Sequence, residues 1–456
     1  MARVAFVNPP APQPLIRRYM CSYHAGPNRY PVVELLGLAA LARERGHEVT
    51  YIDGIAEHVG EACGEALRAF RPDVVVGLGG LESYRDDVVT LVALGRAVEA
   101  PVGVMGHFAT LWPERSLALG VDFVLRGEGE AGLVAWLDGT PGPGLTTREQ
   151  DGGPAPRLTD AGYAALPRPA HDLLDPEAYR EVGVGRRLAV LQLMRGCPFP
   201  CPHCIRSYGQ DLCRRPPEQV VAEFREVARR GFEQVRILDD TFTAHRAWTL
   251  EVCRALREAR LGMPWSALSR VDTSGPEVLR AMASAGCTRV YLGIESGSPR
   301  VLDYYKKRHT AADVHRVVRD VQAAGMEAVG FFVLGAPDET WEDVEASISL
   351  AINSGLDFVI LNTLAAYPGT PIARDRGRVP YVDPWSEDRQ LVDPARLGEL
   401  QGWERAFYRR FYLRRRGLRS GLSTLRRDPS GAVRSGLGVL RFVALGPRAG
   451  DRTNLI

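Results

Sequence analysis

The first 140 residues alternate short apolar runs with longer segments whose apolar residues recur every three or four positions. The short runs predict β-strands, and the longer segments predict amphipathic helices. Strands and helices that alternate in this way indicate βαβ units and a parallel, doubly wound sheet. The predicted strands span 4–8, 48–53, 73–80, 101–106 and 121–125, and the predicted helices span 33–45, 55–70 and 83–98.

A second alternating series occupies residues 188–385. It holds six βα repeats, fewer than the eight of a complete TIM barrel, and so predicts a partial (β/α)6 barrel. The predicted strands span 188–194, 234–238, 264–268, 288–294, 328–334 and 357–364, and the helices between them span 217–230, 246–259, 276–285, 311–324 and 340–353.

Residues 138–157 separate the two series. They are rich in glycine and proline and hold one leucine as their only large apolar residue, which predicts a linker or an exposed hairpin. The predicted fold class is α/β, with a Rossmann-like doubly wound sheet, a TIM-type partial barrel and a basic helical tail. We expect the Rossmann-like domain at 1–140, a linker at 141–187, the partial barrel at 188–385 and a helical C-terminal region at 386–456.

The composition is typical of a soluble globular protein, with 45% hydrophobic and 25% charged residues. It excludes a disordered chain, a collagen and a disulfide-rich miniprotein. No apolar run reaches the roughly 18 residues of a transmembrane helix. The apolar start of the chain is shorter than the core of a signal peptide, so we expect a cytoplasmic protein.

The net charge of +2 predicts no nucleic-acid partner. Residues 401–456 differ from the rest, because they hold 13 arginines against three acidic residues. We interpret them as a solvated basic helix whose aromatic residues pack on the barrel. Binding to an anionic substrate and binding to a membrane surface are the alternatives.

Three of the eight cysteines lie within eight positions, as Cys197, Cys201 and Cys204 in the spacing C-x3-C-x2-C. The segment follows the first predicted barrel strand, and so lies at the catalytic end of the barrel. Three thiolates at this spacing suit three irons of a cubane cluster and leave the fourth iron open to a ligand. A zinc site that adds His203 and a redox pair of Cys201 and Cys204 are the alternatives.

Four further residues are candidates for chemistry. Cys213 lies nine residues after Cys204 and is a candidate catalytic thiol, and Tyr208 is a second catalytic candidate. Lys306 and Lys307 are the only lysines among 57 basic residues. They predict the solvated start of a helix, with binding of an anionic group as the alternative.

The cysteine segment resembles the motif of the radical S-adenosylmethionine superfamily, in which an aromatic residue precedes the third cysteine. His203 stands in that place here. The resemblance implies a [4Fe–4S] cluster on the three cysteines and S-adenosylmethionine at its open iron. It also implies that Asp239 and Asp240 hold the cofactor's amino group and that Glu295 contacts its nucleoside. The residues that the resemblance assigns to S-adenosylmethionine are Asp239, Asp240, Arg270, Glu295, Ser296, Gly335 and Pro368.

The N-terminal domain resembles the cobalamin-binding type that precedes many barrels of this superfamily. The resemblance rests on Asn-Pro-Pro at 8–10, Met-Gly-His-Phe-Ala-Thr at 105–110 and Gly-Glu-Gly-Glu at 127–130. Glycines at strand ends would let a corrin approach the backbone, and the missing D-x-H-x-x-G motif implies that cobalamin is bound base-off. A nucleotide-binding or vestigial domain is the alternative. The residues assigned to cobalamin are Asn8, Gly79, Gly80, Gly106, His107, Thr110 and Gly127.

Together the two resemblances imply an enzyme that cleaves S-adenosylmethionine reductively to a 5′-deoxyadenosyl radical. The radical takes hydrogen from a small-molecule substrate, such as a secondary metabolite of antibiotic biosynthesis, and methylcobalamin then methylates the carbon. An electron donor such as flavodoxin or ferredoxin is implied as a partner. The alternative is a cobalamin-independent radical dehydratase, cyclase or epimerase that acts on a sugar-like or aminoglycoside-like metabolite.

Overall fold

Two six-stranded sheets organise the chain in this computed structural model. The structure describes residues 1–414 apart from 14, 18–21, 25–27, 183, 376, 386–389 and 392–393. Cys21 and residues 415–456 of the basic tail lie outside the described residues. In the part of the chain that is described, no helix is both long and apolar enough to cross a membrane.

The elements of the first half alternate along the chain as the sequence predicts. Its strands are β1 (Arg3–Asn8), β2 (Leu15–Arg17), β3 (Ser22–His24), β4 (Glu48–Asp53), β5 (Val74–Leu78), β6 (Val102–Met105), β7 (Phe123–Leu125) and β8 (Leu145–Thr147). Its helices are α1 (Val33–Glu44), α2 (Glu61–Phe70), α3 (Tyr84–Arg96), α4 (His107–Leu111), α5 (Pro113–Ala118) and α6 (Glu130–Leu137).

The first sheet has the strand order β4-β1-β5-β6-β7-β8 and is parallel except for β8. Successive residues of β1 face opposite sides of it. Val4 and Phe6 join a core with α1 and α6, whereas Ala5 and Val7 join a core with α2 and α3. A strand that is apolar on both faces requires helices on both faces. The doubly wound sheet is therefore confirmed.

Some elements of this half differ from the predictions. β8 comes from the segment predicted as a linker or an exposed hairpin; it forms an antiparallel edge strand, and the chain turns back on it, since Thr147 N–H donates to the Gln150 carbonyl. The β2–β3 hairpin and the helices α4 to α6 were not predicted. α2 begins at Glu61 instead of residue 55, because the Asp53 carboxylate accepts from the N–H groups of Ile55 and Ala56 and holds a turn there. The domain boundaries remain proposals.

The second half contains the barrel and the segments on either side of it. Its strands are β9 (Arg180–Glu181), β10 (Gly185–Arg186), β11 (Leu188–Leu191), β12 (Met194–Arg195), β13 (Cys213–Arg214), β14 (Gln234–Ile237), β15 (Trp265–Arg270), β16 (Cys287–Glu295), β17 (Glu327–Leu334), β18 (Phe358–Thr363), β19 (Tyr381–Val382) and β20 (Gln390–Leu391). Its helices are α7 (Asp160–Ala165), α8 (Pro217–Arg229), α9 (Arg246–Ala259), α10 (Pro276–Ser284), α11 (Pro299–Tyr304), α12 (Ala311–Ala323), α13 (Trp341–Asn353) and α14 (Pro394–Tyr412).

The second sheet is parallel throughout and follows chain order, β11-β14-β15-β16-β17-β18. Its outer face packs on α8, α9, α10, α12 and α13 in one continuous core. The predicted partial barrel of six strands is confirmed. The carboxyl ends of its strands form one edge, where barrels of this type bind their ligands.

The helix α14 covers the last strand of the barrel. The N–H group of Leu361 donates to the Tyr408 hydroxyl at 3.2 Å, and Phe407 and Phe411 are fully buried. Arg409 and Arg410 on the same helix are exposed. The described part of the basic tail therefore packs its aromatic residues on the barrel, as its pattern predicts.

Candidate functional site

A closed loop after the first barrel strand carries the three cysteines. β12 pairs antiparallel with β13 and closes the loop at its base. The N–H group of Cys197 donates to the Gly209 carbonyl at 3.1 Å. Gly196 has a φ of +90°, and a Cβ there would collide with the Asp211 carbonyl oxygen. The loop geometry therefore requires a glycine before the first cysteine.

The three cysteine thiols lie close enough to influence one another. Cys201 accepts a hydrogen bond from Arg270 Nη1 at 3.4 Å, and Cys197 Sγ lies 3.9 Å from Thr241 Oγ1. Burial raises the pKa of Cys197 and that of Cys204, and nearby acidic groups, Cys201 among them, raise both further. Such thiols bind iron as thiolates and release their protons to solvent on binding. The residues fit a [4Fe–4S] cluster.

His203, the possible fourth ligand of a zinc site, is buried next to these thiols. Burial lowers the pKa of His203 to about 4, and the ring lies edge-on to Tyr305 with centroids 4.9 Å apart. Within the described ranges, no three His, Cys, Asp or Glu side chains meet as the ligands of a single metal ion would. A cubane differs from such a site, because each thiolate binds a different iron.

The two aspartates after β14 occupy different environments. Asp239 is fully buried, and its Oδ1 accepts from the N–H groups of Leu193 and Met194 at 2.7 and 3.1 Å. It therefore holds the backbone that leads into the cysteine loop. Asp240 is partly exposed, and its charge raises the pKa of Cys197 and of Cys204. Both carboxylate oxygens of Asp240 are nevertheless buried, so its contact with the cofactor's amino group remains a prediction.

A buried ion pair lies on the same edge of the barrel. Lys307 Nζ is 2.8 Å from Glu295 Oε1, and both side chains are less than a tenth exposed. Burial disfavours the Glu295 carboxylate, but Lys307 and His203 outweigh burial and hold the pKa of Glu295 below its usual range. Gly293 leaves room for the pair, because a Cβ there would lie 2.7 Å from Glu295 Oε1.

The prediction of a solvated lysine pair is wrong for one of its members. Lys306 is exposed, but Lys307 is buried at the barrel edge and acts electrostatically on Cys201. The turn after α11 sends the two neighbouring side chains in opposite directions. The sequence held one signal that these positions are special: Lys306 and Lys307 are its only lysines, and the other Lys or Arg positions are all arginine.

The other residues assigned to S-adenosylmethionine shape the loops of this edge. The Ser296 hydroxyl lies 3.1 Å from Ser347 Oγ on α13. Gly335 has a φ of +99°, and its N–H group donates to Glu339 Oε2 at 2.5 Å. The carbonyl of Pro368 lies 3.2 Å from His107 Nε2. The contacts of these residues with the cofactor remain predictions.

At the carboxyl edge of the first sheet, polar side chains bond to one another. Asn8 Nδ2 donates to Asp53 Oδ1 at 2.8 Å, and its Oδ1 accepts from Arg17 Nη1 at 2.9 Å. Arg17 comes from the β2–β3 hairpin and forms a buried ion pair with Asp87 at 2.7 Å. Both ends of the Asn8 amide are thus engaged by protein groups. Its assignment to cobalamin remains a prediction.

The glycines of this edge stand where protein atoms touch. A Cβ at Gly106 would lie 2.7 Å from the Gly79 carbonyl oxygen, and a Cβ at Gly79 would lie 2.5 Å from the Tyr84 ring. The Gly80 N–H group donates to Asp87 Oδ2 at 2.8 Å. Close contacts within the protein thus leave no room for a side chain at Gly79 or Gly106, and the assignment of the three glycines to cobalamin remains a prediction.

His107 connects this edge to the barrel. Its Nδ1 lies 3.4 Å from the Ser207 hydroxyl in the cysteine loop, and its Nε2 lies 3.2 Å from the Pro368 carbonyl after β18. Burial lowers the pKa of His107 to about 4, so the ring is neutral at physiological pH. Nearby, the Gly127 N–H group donates to Thr110 Oγ1 at 3.0 Å. The two predicted ligand edges therefore meet.

The catalytic candidates Tyr208 and Cys213 are buried at the base of the cysteine loop. Burial raises the pKa of Cys213 to about 12, so the thiol keeps its proton at neutral pH. The Tyr208 hydroxyl donates to Glu34 at 3.5 Å, and its ring lies against the Arg195 guanidinium. The catalytic roles of Tyr208 and Cys213 remain predictions.

The inner face of the second sheet offers a wall beside this edge. Arg270, Gly293, Phe331 and Ile360 stand at one level on four adjacent strands, since each pairs with the next in register. The last three are partly exposed although the sheet is covered on its outer face. Asn362 lies one level nearer the carboxyl ends, is 6% exposed, and has no partner for Nδ2 among the described residues.

Two protein families match different parts of the chain. The radical SAM superfamily matches residues 191–351, and the B12 binding domain matches residues 27–137. An uncharacterized methyltransferase of Pyrococcus horikoshii is 32% identical over 357 residues, which cover 75% of this chain and 77% of the relative. An anaerobic magnesium-protoporphyrin IX monomethyl ester cyclase of Cereibacter sphaeroides is 25% identical over 448 residues, covering 91% of this chain and 71% of the relative.

Two solved structures share the architecture. The radical S-adenosylmethionine methyltransferase TsrM of Kitasatospora setae, with cobalamin and a [4Fe-4S] cluster bound, has a TM-score of 0.65 and 20% identity, and covers 82% of this chain and 74% of that one. The cobalamin-dependent S-adenosylmethionine radical enzyme OxsB has a TM-score of 0.62 and 16% identity, and covers 77% of this chain and 52% of that one. At these identities the likeness shows the fold.

Proposed function

The chain belongs to the radical S-adenosylmethionine superfamily and carries a B12-binding domain, and from this premise we propose that it methylates a carbon atom of a small molecule. Membership gives its cofactors as a [4Fe–4S] cluster, S-adenosylmethionine and cobalamin. When bound, these groups supply a carbon-centred radical and a methyl group. The protein's own part is to bind them, orient them and exclude water.

The contact between the two sheet edges is the observation that carries the proposal. His107 at the end of β6 lies within 3.4 Å of the cysteine loop and within 3.2 Å of the loop after β18. A second contact also joins the two sheets: the Tyr367 hydroxyl, after β18, donates to Glu82 Oε1, after β5, at 3.2 Å. A ligand of one edge can therefore reach a ligand of the other. Methyl transfer needs this adjacency, whereas a radical rearrangement needs only the barrel.

We assign the charged residues of the barrel edge by their chemistry. The three cysteines of the loop hold the cluster. Asp240, partly exposed beside them, accepts hydrogen bonds from the ammonium group of S-adenosylmethionine. Lys307 keeps Glu295 ionised through their 2.8 Å pair, so that this carboxylate can accept from the hydroxyl groups of the nucleoside. Lys307 and Glu295 both keep their charges throughout, because neither of them has a proton-transfer role in this proposal.

The wall of the barrel supports a substrate with an apolar face. Phe331 and Ile360 stand partly exposed at the level of Arg270, and Asn362 adds an amide one level nearer the carboxyl ends of the strands. A buried amide gains most from a ligand that completes its hydrogen bonds. We therefore extend the proposal to a substrate that is apolar where it lies on Phe331 and Ile360 and polar where it meets Asn362.

Several narrower expectations stay predictions. Cobalamin bound base-off is supported by His107, whose two ring nitrogens both lie near protein oxygens. A secondary metabolite as substrate, flavodoxin or ferredoxin as electron donor and a cytoplasmic location rest on the resemblance and the composition. No contact among the described residues favours the cobalamin-independent dehydratase, cyclase or epimerase.

An isotope experiment tests the proposal without knowledge of the substrate. The protein is reconstituted anaerobically with iron, sulfide and hydroxocobalamin, and is then given a reductant and S-adenosylmethionine with a trideuterated methyl group. We expect 5′-deoxyadenosine in solution and deuterium in the protein-bound corrinoid by mass spectrometry. Formation of 5′-deoxyadenosine by a protein that takes up no corrinoid would contradict the proposal and restore the dehydratase, cyclase or epimerase.

A further inference from the structure

A buried group of charges joins the cysteine loop to the first sheet. Arg195, two residues before Cys197, donates from Nη1 to Glu128 Oε2 at 2.7 Å and also lies 2.8 Å from Glu130 Oε1. The three side chains are 6%, 5% and 11% exposed. We call Arg195, Glu128 and Glu130 the bridging charge cluster, because Arg195 lies on β12 whereas the two glutamates follow β7.

The turn after β7 is built to present both glutamates. Gly127 and Gly129 flank Glu128 and have φ angles of +81° and +96°, which other residues rarely adopt. The backbone can therefore reverse sharply between the strand and α6. As a result, the carboxylates of Glu128 and Glu130 reach the same guanidinium. The contacts of Glu128 and Glu130 with Arg195 thus give the Gly-Glu-Gly-Glu motif a structural role within the protein.

The guanidinium of Arg195 is fixed from other directions as well. Its Nε donates to Gln192 Oε1 at 3.0 Å. The rings of Tyr163 and Tyr208 lie 4.7 and 5.1 Å from it. A planar guanidinium with these partners has one orientation, which a flexible ammonium group would not reproduce.

The far end of the cysteine loop is tied to the same edge. Ser207 lies three residues after Cys204; its hydroxyl approaches His107, and its carbonyl accepts from Arg157. Arg157 in turn lies 3.9 Å from Glu128. The loop is therefore anchored to the first sheet on both sides of the cysteines.

Stability alone does not account for a charged anchor at this place. Removing charges from water costs free energy that the attraction between them only partly offsets, and well-packed apolar residues are often as stable. Charged hydrogen bonds add direction and distance. Radical and methyl transfer depend on such placement, because a displacement of about 1 Å can cost a large factor in rate.

We propose that the bridging charge cluster sets the spacing between the cysteine loop and the B12-binding domain, so that Arg195, Glu128 and Glu130 act as positioning residues. The inference requires that both cofactors bind, but it holds whichever reaction follows. Its failure can therefore be told apart from a failure of the proposed methylation.

The test measures the spacing directly. Protein reconstituted with the [4Fe–4S] cluster and cobalamin is reduced until both centres are paramagnetic, and the magnetic dipolar interaction between them is recorded by electron paramagnetic resonance. The variants are Glu130→Gln, the double variant Glu128→Gln with Glu130→Gln, and Arg195→Lys. The control is Glu327→Gln, which alters a partly buried pair with Arg289 at 2.7 Å between two neighbouring barrel strands.

We expect all variants to keep iron and cobalt, while the double variant and Arg195→Lys show a distance distribution roughly twice as broad as that of the unaltered protein. Glu327→Gln should give the unaltered distribution. The proposal is overturned if the double variant also gives that distribution. It is equally overturned if Glu130→Gln, the mildest change, loses either metal, because the cluster would then serve folding instead of spacing.

Discussion

The carboxyl edges of the two sheets use charged side chains in different ways. At the first edge, Arg17, Asp53 and Asp87 are buried and satisfied within the protein, and Asn8 lies between them. At the second edge, Arg270 and Lys307 also have carboxylate partners, but both act in addition on the Cys201 sulfur. The charged side chains of the first edge therefore hold the protein to itself, whereas those of the second edge also act on a cysteine of the cluster motif.

The largest effect that this difference predicts is the loss of the cluster. Cys197→Ala, Cys201→Ala or Cys204→Ala should each remove the visible iron–sulfur absorption and abolish formation of 5′-deoxyadenosine, because each deletes one of three ligands. Cys253→Ala changes a cysteine in the barrel core and should keep both. Full iron content in Cys201→Ala would contradict the assignment.

The next prediction compares two buried cations, Lys307 at the second edge and Arg17 at the first. Lys307→Met leaves Glu295 as an unpaired buried charge and should lower the free energy of unfolding by about 3 kcal/mol. It should also weaken binding of S-adenosylmethionine, measured by calorimetry. Lys306→Met alters the exposed neighbour and should change stability by less than about 0.5 kcal/mol.

Arg17→Met is the counterpart on the first edge. It removes the partner of Asp87 and should lower stability by a similar amount, about 3 kcal/mol, without changing the affinity for S-adenosylmethionine. A loss of that affinity in Arg17→Met, or its retention in Lys307→Met, would erase the distinction between the edges.

A smaller effect distinguishes Asp239 from Asp240. Asp240→Asn should weaken S-adenosylmethionine binding by roughly tenfold, since one charge-assisted hydrogen bond contributes about 1.5 kcal/mol. Asp239→Asn should instead lower the melting temperature more than Asp240→Asn, because Asp239 holds the N–H groups of Leu193 and Met194. Equal losses of affinity in both variants would show that the two carboxylates share the ligand.

The last effect concerns pH and the first edge. Burial raises the pKa of Glu57 to about 7, although the Tyr179 hydroxyl donates to it. The folded protein therefore holds a proton that the unfolded chain releases near pH 4.3. Stability should fall as the pH rises from about 4.5 to about 7 and then level off. Melting temperatures at pH 5 and pH 8 should differ less in Glu57→Gln than in the unaltered protein, and an equal difference would contradict this.

The sequence was enough to predict most of the fold, because long buried strands and amphipathic helices leave a periodic pattern. The strand Glu48–Asp53 and the helix Arg246–Ala259 have their predicted bounds. The strands of the first half that were missed, Leu15–Arg17, Ser22–His24 and Leu145–Thr147, are three residues long and too short to show a period.

The site was predictable where chemistry fixes the spacing of residues, as it does for the cysteines. It was not predictable where burial decides the role. Lys306 and Lys307 are adjacent and alike in sequence, yet only the second is buried. The contact between Gly106 and the Gly79 carbonyl oxygen joins two different strand ends, and no local pattern in the sequence reveals it.

The central claim, that each edge binds its own cofactor, is tested most directly by the iron and cobalt content of the protein. We expect each of the two edges, which meet at His107, to carry its own cofactor. Protein purified without oxygen and reconstituted with iron, sulfide and hydroxocobalamin should hold about four irons and one cobalt per chain, and Cys201→Ala should lose the iron while it keeps the cobalt. Unaltered protein that binds iron but no cobalt, or a Cys201→Ala variant that loses both metals, would contradict it.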